Sequence, residues 1–193
     1  VDNGVDRFVF ATIDTCVLEA AFTDAIKAIV HEKSGYPVDR ICISATHTHS
    51  APALKNRFKD SLKHAKGEDP EYVKMVKQKT ADAILAAIEN LQPAKVGWGI
   101  AREPRHAFCR RIFMKPGTAM DPPSAFTGIT NNLVQLSPPK SNPNRITWVD
   151  VPDTNVYVIA FKTLDGKPLA VLSNYSVHYA AGPHFEDSLS ADY

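Results

Sequence analysis

Two histidines separated by one residue, His47 and His49, close the stretch Arg40-Ile-Cys-Ile-Ser-Ala-Thr-His-Thr-His-Ser-Ala-Pro52. Its first half, Ile41 to Ala45, is apolar and β-branched and reads as a short buried strand. Its second half reads as the loop leaving that strand's C-terminal end, where open α/β sheets commonly place their sites. In extended backbone the two imidazoles project to one face about 7 Å apart, at roughly 3.3 Å per residue. Neutral imidazole is a frequent metal ligand. The pair can therefore hold a metal, or divide its labour between a metal and a substrate. The plainer alternative is two polar loop residues with ordinary hydrogen-bond partners. A third histidine, His178, stands at the exit of a second apolar run and echoes the first station.

Other reactive residue types are scattered. Cys16, Cys42 and Cys109 are odd in number and widely spaced, with no CxxC, and they fix no redox compartment. Cys16 and Cys42 lie in apolar runs and read as small buried hydrophobes. Asp14 interrupts the first apolar run, where a carboxylate is either paired with a neighbour or faces a site. Arg102 to Lys115 concentrates five arginines and lysines among aromatics, and pairing with local carboxylates accounts for most of them as well as function does. His64 sits in a Lys-, Asp- and Gly-rich surface segment, 55–69, and His184 reads as a loop residue.

The elements that must position these residues follow from the apolar pattern. Residues 7–18 read as a central strand, and 19–34 as a helix with Ala21, Ala25, Ile26 and Ile29 on one face. Gly35 suits that helix's C-terminal cap, and Pro37 follows it. With 40–45 this makes a strand–helix–strand unit of the parallel kind. Asp69-Pro70 opens a second helix, 70–91, with Val73, Val76, Thr80, Ile84, Ala87, Ile88 and Leu91 at helical spacing. Lys74, Lys77 and Lys79 form its wet face. Residues 95–100 read as a strand, and 156–163 and 169–175 as a hairpin turning at Asp165-Gly166. Residues 115–153 hold seven of the fourteen prolines and read as an irregular surface excursion, a lid or a cleft wall. The expected architecture is α/β: one mixed, largely parallel β-sheet flanked by α-helices, carrying both histidine stations.

Composition narrows the partners. At 193 residues and 44% hydrophobic content the chain can bury one sizeable core or two small ones. The net charge of +1, from 22 basic and 21 acidic residues, advertises no face for nucleic acid. No run approaches the length of a transmembrane helix. The chain opens at Val1-Asp-Asn-Gly without an initiator methionine or a signal peptide's apolar core, and stops at Ala191-Asp-Tyr193. The expectation from both ends is a piece of a longer protein.

Three blocks in order, Ser44-Ala-Thr-His-Thr-His-Ser-Ala-Pro52, Leu172-Ser-Asn-Tyr-Ser-Val-His178 and Ser190-Ala-Asp-Tyr193, make the chain resemble the N-terminal catalytic domain of the neutral/alkaline, non-lysosomal ceramidase family. The resemblance runs from the first strand to the last residue, while 115–153 match nothing in the family. It implies an incomplete catalytic domain over 1–193 and a zinc-dependent hydrolase cleaving the N-acyl bond of ceramide or a related lipid amide. It implies Zn2+ held by His47 and His178, with a glutamate and a tyrosine expected beyond Tyr193. It gives His49 and an arginine the task of stabilising the reacting amide. That arginine is Arg110, with Arg111 the alternative; the family's usual asparagine before it is Cys109 here. A zinc site with an open position brings the pKa of a coordinated water to about 7. If His47 and His178 share the ion, their nitrogens lie within about 4 Å of one another. The family further implies a secreted, periplasmic or extracellular setting and a lipid substrate met at a membrane surface. Two other readings stay open: a hydrolase of this kind acting on a non-sphingolipid substrate, and a non-catalytic relative that binds a ligand or partner.

Overall fold

Strand β1 (Val9–Ile13) lies parallel to strand β2 (Ile41–Ala45), with Val9 opposite Ile41 and Ile13 opposite Ala45. The computed structural model that shows this describes residues 1–52, 54, 70–120, 128, 132–178 and 189–190. Helix α1 (Ala20–Ser34) makes the crossover a parallel pair requires. It ends where Gly35 takes the left-handed conformation, φ 67°, and donates its backbone N–H to the His31 carbonyl. Helix α2 (Pro70–Glu89) packs against α1. Val9, Ile41, Phe22, Ile26, Val30, Tyr36, Leu54, Ala81 and Ile84 form one core. Full burial of Ile26 and Val30 contributes about 1.5–3 kcal/mol each.

The most buried stripe of α1 is Phe22, Ile26 and Val30; of the face predicted, Ile26 lies in the core and Ile29 packs against it, while Ala21 is exposed. Lys77, assigned to the wet face of α2, lies with its ammonium 5.3 Å from the centre of the Phe22 ring, its stem half-buried. Asp69, expected to cap α2, and His64 lie outside the described residues.

β1 and β2 share one alternation: residues one and three from the start turn inward, while Phe10, Thr12, Cys42 and Ser44 are exposed. Among the described residues only one face of the pair is covered, and the other carries hydroxyls and the thiol. Cys42 is therefore a surface residue and not a buried hydrophobe.

The chain divides into two units, Val1–Pro93 with the C-terminal residues, and Ala94–His178. In the second unit β3 (Ala94–Arg102), β7 (Asn155–Thr163) and β8 (Pro168–Tyr175) make a three-stranded sheet in the order β3-β7-β8, antiparallel throughout. The hairpin predicted at Asp165-Gly166 joins β7 to β8, with Gly166 at φ 94°. β4 (Arg111–Met114) is flanked on either side by β5 (Val134–Leu136) and β6 (Arg145–Trp148), again antiparallel.

These pairings overturn the expected fold class. Among the described residues only β1 and β2 are parallel, and two helices are present. The strands ending at the two histidine stations belong to different sheets. The reason lies in the connections. A parallel neighbour needs a crossover of a dozen or more residues, usually helical, and past α2 the described residues hold a tight hairpin and no further helix. The Pro-rich segment is also less irregular than its composition suggested. β5 and β6 occupy the gaps between its prolines, which lie outside both strands. No helix among the described residues is long and apolar enough to cross a membrane.

Candidate metal centre

Past their last paired residues, β1 and β2 stay tied together. The Thr46 N–H donates to the Ile13 carbonyl and the His47 N–H to the Thr15 carbonyl, both at 3.1 Å. His47 then adopts a left-handed backbone, φ 65°, one of two described non-glycine residues with positive φ. Such a conformation costs about 1–3 kcal/mol in a residue with a side chain, and sites of function are where it concentrates. The extended geometry predicted for 47–49 is therefore broken at its first residue. The two rings come closer than an extended strand allows. Their centroids are 5.0 Å apart at 84°, and Nε2 of His49 lies 3.4 Å from Nε2 of His47.

The residue between them anchors the loop. Thr48 is 1% exposed; its hydroxyl donates to the Ser190 carbonyl at 2.7 Å and accepts the Ser50 N–H at 3.1 Å. The Ser190 N–H donates in turn to the Ser50 carbonyl at 3.0 Å. The first and third of the sequence blocks thus meet in space. Thr48→Val keeps the shape of the side chain but removes the acceptor of one buried N–H and a donor to one carbonyl. The expected loss is about 1–3 kcal/mol of stability, read as a lower urea midpoint at unchanged slope.

Cys16 completes the geometry from the exit of β1. Its carbonyl oxygen lies 2.7 Å from Nδ1 of His47, and its Sγ 3.7 Å from the same nitrogen. A carbonyl can only accept, so Nδ1 carries the proton and Nε2 presents its lone pair, the arrangement found when a histidine binds a metal through Nε2. Two nitrogens about 2.1 Å from one tetrahedral zinc are about 3.4 Å apart, and the His47–His49 pair stands at that spacing. Cys16, His47 and His49 each offer one donor atom, all within 4.8 Å of one another, and the group can hold a metal ion. Both imidazoles are exposed and Cys16 is half-buried, so the centre opens to solvent. Asp14, one residue past β1, is exposed and lies outside this donor group.

Cys16 is the member that sequence reasoning assigned otherwise, as a buried hydrophobe. The signal that finds it is positional: it leaves β1 at the same level as His47 leaves β2, because Ile13 is paired with Ala45.

The remaining predicted residues belong to the second unit. Arg110 is exposed and immediately precedes β4, its carbonyl accepting the Ser137 N–H at 2.7 Å. Arg111 is the first residue of that strand. His178 lies three residues past β8 and is exposed. The cationic segment is partly accounted for by local pairing, as expected. Arg105 forms a two-pronged bond to Glu103, Nε to Oε1 at 2.8 Å and a second nitrogen to Oε2 at 2.5 Å. The hydrogen bonds from Arg105 hold the Glu103 carboxyl down to about 2. Its lowered value means that any stabilisation from the pair is present above the ordinary carboxylate range and is lost as pH falls through about 2. His184 lies outside the described residues. No known family model matches the chain.

Proposed function

We propose that this chain belongs to a zinc-dependent amide hydrolase, similar to neutral ceramidases, that cleaves the N-acyl bond of ceramide or a related lipid amide. The observation that carries the reading is the His47–His49 pair at a parallel-strand exit. Its nitrogens stand at the spacing of two ligands of one zinc, with the outward lone pair of His47 fixed by the Cys16 carbonyl. Of the two uses open to the pair, sharing the ion fits that spacing better than dividing labour between ion and substrate. When bound, zinc supplies the Lewis acidity that makes water a competent nucleophile near neutral pH.

The chain's own residues set the rest. The Nδ1–H of His47 holds its ring in one orientation and keeps Nε2 basic. Thr48 locks the loop from beneath, so the two rings are presented by a backbone that does not have to reorganise. The resemblance implies His178, in place of His49, as the second histidine of that ion. By the same resemblance Arg110, whose guanidinium is always charged and carries five N–H donors, would stabilise the amide oxygen as negative charge develops there. The resemblance gives His49 this second task instead, and metal content of a His49→Ala variant separates the two.

The test, made on the full-length protein, is removal and return of the metal. Chelation followed by buffer exchange should abolish turnover of a fluorescent ceramide analogue, and Zn2+ should restore it while Mg2+ does not. Full turnover by protein whose zinc content is verified as nil would refute the reading. Stoichiometric zinc with no turnover of any lipid amide would leave a binding relative.

A further inference from the structure

We infer that Cys16 is a thiolate ligand of the same ion, so that the first unit alone supplies a Cys/His/His donor set with a preference for soft cations. This rests on the metal-binding part of the proposal above and not on the amide hydrolase part. Three observations carry it. Sγ of Cys16 belongs to the three donor atoms that lie within 4.8 Å of one another. Its backbone is already committed to the centre, because its carbonyl fixes the proton on Nδ1 of His47 at 2.7 Å. And the His47 N–H bond to the Thr15 carbonyl fastens the loop bearing one donor to the residue preceding the other, so thiol and imidazole are held in register without a ligand.

The chemistry is balanced simply. On binding, the Cys16 S–H bond releases its proton to solvent, and the sulfur pair passes to the ion in its place. A sulfur about 2.3 Å from zinc and nitrogens about 2.1 Å away require donor separations of about 3.4–3.6 Å. The two imidazole nitrogens already stand 3.4 Å apart, and since the three donor atoms all lie within 4.8 Å of one another the sulfur has at most about 1.2 Å to close. Thiolate with imidazole selects Zn2+, Co2+ or Cu+ over Mg2+ and Ca2+, which take oxygen donors. A centre built from His47 and oxygen ligands alone would not discriminate in this way.

The experiment titrates Co2+ alone into the full chain and follows its visible and near-ultraviolet absorption. The wild type should show the ligand-field bands of a tetrahedral site and a thiolate-to-cobalt charge-transfer band, both displaced by Zn2+. Cys16→Ser keeps the carbonyl that positions His47, so it should retain the ligand-field bands, lose the charge-transfer band and bind at least about tenfold more weakly. Cys42→Ser and Cys109→Ser should change nothing. Mapping of alkylated thiols supplies a second readout that needs no variant: Zn2+ should slow modification of Cys16 selectively. A charge-transfer band that persists in Cys16→Ser, or wild-type protein that binds cobalt without one, overturns the inference while leaving a metal site in place. Wild-type protein that binds no cobalt overturns the inference and the metal reading together.

Discussion

In the full-length protein, His47→Ala should lose metal and turnover together. The imidazole is held by the Nδ1–H bond to the Cys16 carbonyl, and its backbone by the bond to Thr15, which together leave Nε2 directed away from the strand exit. Removing a residue that merely orients a ligand costs about 10–100-fold in metal affinity or activity. Removing the ligand itself should exceed that, so zinc should fall below stoichiometry and hydrolysis below detection. The substitution should also relieve backbone strain only partly, since alanine at φ 65° is still disfavoured. Elemental analysis beside turnover of the ceramide analogue checks it. His49→Ala should behave in the same way; retained zinc with lowered kcat would return His49 to the substrate. A His47→Ala protein with full zinc and full turnover would remove the site from this loop.

Arg110→Ala should keep zinc and substrate affinity while kcat falls by about 10²–10³, the effect of deleting one donor to a developing oxyanion, about 2.7–4 kcal/mol of barrier. The division between kcat and KM is what distinguishes the role. A charge that meets its partner only in the transition state lowers kcat and kcat/KM equally and leaves ground-state binding alone. Arg110 is exposed and Arg105 is engaged with Glu103, so Arg105→Ala is the control and should leave kcat unchanged. Normal kcat in Arg110→Ala moves the role to Arg111 or away from this segment.

Local chemistry was legible in the residues wherever one neighbour decides the outcome. Gly35 announced the end of α1 because only a left-handed residue closes that helix so tightly, and Asp165-Gly166 announced the hairpin for the same reason of backbone sign. Pairing direction was not legible. A run such as Val156–Thr163 is equally apolar in a parallel or an antiparallel sheet, and only the connections decide. Among the described residues the one parallel pair, β1 with β2, is joined through α1 as expected, whereas α2 equally separates β2 from β3 and β3 pairs antiparallel with β7 instead. Burial failed on the same strands because their alternation, Val-Phe-Ala-Thr-Ile and Ile-Cys-Ile-Ser-Ala, marks one covered face and was read as two.

The candidate site shows the same limit. His47 and His49 stand out by spacing, but their mutual geometry depends on a positive φ that histidine's sequence context does not announce. Cys16 comes to the centre through strand register, 31 positions away from His47 in the chain. Ser190 comes to Thr48 across 142 positions. Such contacts are set by the fold and leave no local trace.

The central claim is that a metal sits on the loop leaving β2. Anomalous difference density, collected on either side of the zinc absorption edge from crystals of zinc-loaded protein, tests it most directly. One strong peak is expected about 2.1 Å from Nε2 of His47 and of His49 and about 2.3 Å from Sγ of Cys16. Fully ordered density for the loop with no peak beside these atoms, while zinc appears elsewhere or nowhere, would contradict it.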